Sequence, residues 1–85
     1  MMPYDVVSVT PLPQRRLAVR FADGLSGEVV LRDSHLFGVF SALKDSAVFA
    51  QVRCDRGFVE WPGDIDLAPD AMYDEIKALG VWVLE

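Results

Sequence analysis

Apolar and polar residues alternate through the first third of the chain and then change period, and that change marks out the elements. From Tyr4 to Thr10 the β-branched residues Val6, Val7 and Val9 predict a strand that Pro11 and Pro13 should break. Arg16 to Phe21 sets Leu17, Val19 and Phe21 against Arg16, Ala18 and Arg20, a period of two that predicts one buried face and one wet face. Asp23-Gly24 supplies tight-turn chemistry, and Gly27 to Arg32 returns as a third strand with Val29 and Leu31 on one side. Together these segments predict an antiparallel meander.

Beyond Asp33 the spacing loosens. Leu36, Phe37, Val39, Phe40 and Leu43 follow a helical period interrupted by Gly38, which predicts a short helix or two irregular turns. Asp45 or Ser46 is placed to cap a further turn over 47–50. Gln51 to Cys54 and Phe58 to Trp61 flank Asp55-Arg56-Gly57 and predict a second hairpin, which Pro62 ends because it has no amide to donate. Pro69 suits the first turn of a helix over 69–79, where Met72, Tyr73, Ile76 and Leu79 form an apolar stripe and Gly80 is the stop. Val81 to Leu84 either adds a last strand or packs as a tail. The predicted fold class is α+β: a mostly antiparallel sheet, made of the three-stranded meander and the second hairpin joined as one twisted sheet, packed against short helices and a C-terminal helix. Residues 1–85 are expected to form a single domain.

Size and charge narrow the function classes. A chain of 85 residues buries only about 60–65% of its extended surface, and its one cysteine, Cys54, cannot form an internal disulfide. With no secretory signal and no long apolar run, the expected location is the cytoplasm, with no membrane association. Eight Lys and Arg against thirteen Asp and Glu give a net charge of −5, which argues against direct nucleic-acid binding and favours a basic protein partner.

Candidate chemistry is sparse. Glu60, Asp64, Asp66, Asp70 and Glu75 form an acidic corner; read as a calcium loop it fails, because Pro69 stands where such a loop needs glycine and Ala68 brings no side-chain oxygen. The favoured reading has these carboxylates cap a helix start and fix a turn, with no metal bound. His35 and Cys54 could pair as nucleophile and base, but Cys54 falls in a predicted strand and reads as a small core residue. The glycines are scattered singly, so no phosphate-cradling loop and no cofactor are expected. Trp61 reads first as a core anchor and second as a surface contact. The uncharged segment Val81-Trp82-Val83-Leu84 is either buried or an exposed strand that invites pairing, with itself in a homodimer or with another protein.

Several separate elements carry a resemblance: Phe21-x-Asp23-Gly24, the Val-rich strand that follows, Val39-Phe40-x-x-Leu43-x-Asp45, Phe49-x-x-Val52, and Trp61-Pro62 with Asp64, Asp66, Pro69 and Tyr73. Over residues 4 to 76 this pattern resembles the bacterial family catalogued as domain of unknown function 2442. The resemblance implies a small α+β fold. It also implies a protein of the kind often encoded beside a second small protein in what look like toxin–antitoxin pairs, or joined to a helix-turn-helix for which these 85 residues leave no room. Ala68 departs from the family, whose members commonly carry a capping Asp or Ser there. The functional expectation is a non-catalytic protein-binding module, antitoxin-like, with contacts at Trp61, Asp64, Asp66, Val81, Trp82 and Leu84. The alternative is a metal-dependent enzyme or small-ligand sensor built on the acidic corner 60–70.

Overall fold

The computed structural model describes residues 2–85. Strands β1 (Val6–Leu12), β2 (Arg16–Phe21) and β3 (Ser26–Leu31) form the expected meander. In the turn between β2 and β3, Gly24 takes φ +94° and the Asp23 carboxylate accepts the Leu25 amide at 2.9 Å. The segment after β3 has short 3₁₀ turns at Asp33–His35 and Gly38–Lys44 and one helical turn, α1 (Ser46–Phe49). Asp45 caps α1 by accepting from Ala47 N–H at 2.9 Å. A hairpin of β4 (Arg53–Asp55) and β5 (Phe58–Trp61) turns through Arg56 and Gly57, both with positive φ. Strand β6 (Ile65–Leu67), helix α2 (Pro69–Leu79) and strand β7 (Val81–Leu84) complete the order.

The α+β class stands, with three corrections to the detail. The strands form two sheets, β1-β2-β3-β7 and β4-β5-β6, rather than one. Ile65 to Leu67, expected as a turn and cap, is a strand whose Ile65 and Leu67 pair with Trp61 and Val59. Pro11 does not break β1, which continues to Leu12; as the edge strand of its sheet it can hold a residue with no amide to donate.

One buried apolar cluster joins both sheets to α2: Leu17, Val19 and Phe21 from β2, Val29 and Leu31 from β3, Val59 and Trp61 from β5, and Met72 and Ile76 from α2. Each fully buried side chain of this size stabilises the fold by about 1.5–3 kcal/mol. Helix α2 sits close because β3 carries glycine beneath it. A Cβ on Gly27 would lie 2.5 Å from Ile76 Cγ2 and 2.6 Å from the Gly80 carbonyl oxygen. Gly80 then ends α2 in the left-handed conformation, φ +78°, and turns the chain directly into β7. The phenol of Tyr73 donates to Asp23 Oδ2 at 2.5 Å and meets the Phe21 ring edge-on at 5.1 Å, fastening the same helix to the β2–β3 turn.

Candidate functional site

Of the outcomes that the sequence leaves open for Val81 to Leu84, the structure takes the first: the segment adds a last strand, β7, to its own sheet, and that strand forms an edge. It pairs in parallel with β3, Val29 opposite Trp82 and Leu31 opposite Leu84, and among the described residues no strand lies on its other side. Glu28 N–H donates to the Gly80 carbonyl at 3.3 Å and Arg32 N–H to the Leu84 carbonyl at 2.9 Å. Parallel ladders alternate, so Trp82 and Leu84 direct their backbone groups to β3 whereas Val81 and Val83 direct theirs to the open side.

The side chains alternate in the same way. Trp82 and Leu84 are half-buried and pack against the core, while Val81 and Val83 share the outer face of the sheet with Val30. Val83 is 38% exposed, and Leu79, the last apolar residue of α2 before the edge, is 70% exposed. The end of β7 is held by an Arg32–Glu85 ion pair at 3.5 Å and by His35, whose Nδ1 lies 3.5 Å from the Glu85 backbone oxygen.

The opposite edge of this sheet is obstructed. Val6 N–H on β1 donates to the Gly57 carbonyl at 3.0 Å, which stitches the β4–β5 turn to that edge. The register of β1 also shifts between Val6 and Ser8, and Pro11 removes an amide further on. Bulges and prolines are the devices that keep an edge from pairing, and β7 carries neither.

The other expected contacts lie elsewhere. Trp61 is 1% exposed and donates its indole N–H to the Phe49 carbonyl at 2.9 Å, so it anchors the core and offers no surface to a partner. Asp64 is an exposed turn residue with φ +62°. Asp66 is exposed on β6 directly opposite Glu60, and neither it nor Asp64 caps α2: the N-cap is Ala68, with no side-chain hydrogen bond. Arg53 on β4 answers part of this repulsion by donating from Nε to Glu60 Oε1 at 2.8 Å. The acidic residues of 60–66 and the β7 edge therefore belong to different sheets.

Among the described residues no three His, Cys, Asp or Glu are gathered closely enough to hold a metal ion. Cys54 is half-buried against the core, while the His35 ring packs against Phe40, tilted at 56° with centroids 4.9 Å apart; no hydrogen bond joins Cys54 and His35. The shifted titrations belong to the Asp23–Tyr73 pair. The phenol's hydrogen bond lowers the Asp23 carboxyl below its ordinary range, and the same bond raises Tyr73 above the ordinary phenol.

Sequence reasoning missed the seat that Gly27 and Gly80 make for α2 and β7. The one available signal was a glycine at the inward position of β3 in register with Val29 and Leu31. Among the described residues no helix is long and apolar enough to cross a membrane. No curated protein and no solved structure matches the chain. The family described as protein of unknown function DUF2442 matches over residues 6–78, from β1 almost to the end of α2, and the chain belongs to that family.

Proposed function

We propose that this chain is a non-catalytic protein-binding module, antitoxin-like, whose β7 edge receives a strand from a protein partner. The observation that carries this reading is the open edge itself, on which Val81 and Val83 present unpaired backbone groups beside an apolar outer face. Strand addition of this kind draws affinity from main-chain hydrogen bonds and specificity from alternate side chains. The net charge of −5 and the exposed Asp64 and Asp66 favour approach by a basic partner, the charge acting on encounter rate more than on final affinity.

The test is co-expression with the product of the adjacent gene. A complex that survives purification is the expected result, and a chain that stays a solitary monomer in its presence contradicts the proposal.

A further inference from the structure

A second surface feature lies away from β7. Between the β1–β2 turn and the segment that carries α1 there is a groove of about 640 Å³, within the usual range for a small-molecule site. Its floor is apolar, formed by the buried Leu43 and Phe49, and Pro11 and Pro13 wall one side. Its rim carries Gln14, Arg15, Lys44 and Ser46.

The charge of the groove runs against that of the molecule. Thirteen acidic residues outnumber eight basic ones in the chain, yet the groove is lined by two cations and no carboxylate. Asp45, the nearest acid in sequence, is engaged in capping Ala47 N–H. Arg15 is neutralised by Asp33, whereas Lys44 takes part in no ion pair among the described residues. Of the two cations that line the groove, Lys44 is thus the one without an ion-pair partner among the described residues.

Gln14 and Arg15 also adopt left-handed backbone conformations, φ +63° and +53°, which glycine would adopt without strain. Arg15 is held there by its Asp33 pair and by Leu31 N–H, which donates to the Arg15 carbonyl at 3.0 Å. These conformations close the β1–β2 hairpin, in which Leu12 pairs with Arg16 across the turn. The proline wall has no amides to offer an extended peptide.

We propose that this groove binds a free small-molecule monocarboxylate with an apolar body. The carboxylate lies at the Lys44 ammonium, with the Ser46 hydroxyl and the Gln14 amide as neutral donors, and the body lies on Leu43 and Phe49. One unneutralised cation selects one negative charge, and the apolar floor selects the rest of the molecule.

The test is a chemical-shift titration of the isotope-labelled full chain with 3-phenylpropionate, octanoate and the neutral 3-phenylpropionamide. Saturable shifts at the amides of Gln14, Arg15, Lys44 and Ser46 are expected, with about tenfold weaker binding of the amide than of the acid. Lys44→Gln should lose about the same factor and Lys44→Arg should keep most of the affinity. Lys44 is exposed, so an unchanged spectrum elsewhere verifies the fold of each variant. Absence of saturable shifts at these residues overturns the proposal, as does equal binding of acid and amide. Tighter binding of an apolar tripeptide through its terminal carboxylate would overturn it too, by assigning the groove to a chain end. None of these results bears on the β7 edge.

Discussion

At Trp61 one side chain meets two demands, filling the core between the second sheet and α1 and satisfying the Phe49 carbonyl with its indole N–H. Trp61→Phe keeps an aromatic ring but leaves that carbonyl without its donor. A loss of roughly 1–3 kcal/mol in urea unfolding is expected, and a loss below about 0.5 kcal/mol would mean that the hydrogen bond contributes nothing. Asp23 and Tyr73 make a different, exposed pair whose contribution depends on pH. Because folding lowers the Asp23 pKa, that stabilisation is present above its unfolded value and is lost as pH falls through the folded one. Because folding raises the Tyr73 pKa, that stabilisation is present below the unfolded phenol value and is lost as pH rises through the folded one. Tyr73→Phe should therefore melt below the parent at neutral pH and converge with it at both the acid and alkaline ends of a pH series. A constant difference across the series would show that the missing hydroxyl acts through packing.

At the scale of elements, α2 and β7 depend on small residues at their junction with β3. Gly27→Ala would drive a methyl group toward the Gly80 carbonyl, which itself accepts from Glu28 at the start of the β3–β7 ladder. A loss of about 1–3 kcal/mol is expected, with the amides of β7 exchanging faster than those of β2; uniform protection would contradict this seating. Ala68 is an exposed N-cap with extended backbone and no side-chain acceptor, so Ala68→Ser should add about 1 kcal/mol to thermal stability, and no gain would show the α2 amides already satisfied. The same elements show what the sequence could disclose. The period-two pattern of β2, the Asp23-Gly24 turn and the Pro69-to-Gly80 helix were legible because each has a local cause. Strand β6 was not, since Ile65-Asp66-Leu67 is too short for alternation to register, and missing it hid both the second sheet and the pairing of Asp66 with Glu60. The direction of β7 was equally hidden, because pairing with β3 joins residues about fifty positions apart and no local signal encodes it.

At the scale of the whole molecule, the two edges of the larger sheet differ. β1 is bulged, carries Pro11 and is stitched to Gly57, whereas β7 is short, uncharged and open. Uncharged segments such as Val81 to Leu84 are legible from sequence as candidates for pairing, but which backbone groups stay unpaired emerges only once β3 has taken one side. That asymmetry allows a substitution aimed at partner binding alone. The Val83 amide points away from β3, so Val83→Pro removes an outward donor and leaves the β3–β7 ladder its bonds. The measurement is co-purification of this variant with the adjacent gene's product, with the parent chain and Val83→Thr as controls. A folded Val83→Pro chain that no longer retains the partner, while both controls do, is the result expected of strand addition at β7; a folded Val83→Pro chain that retains the partner as well as the parent does would place the contact elsewhere.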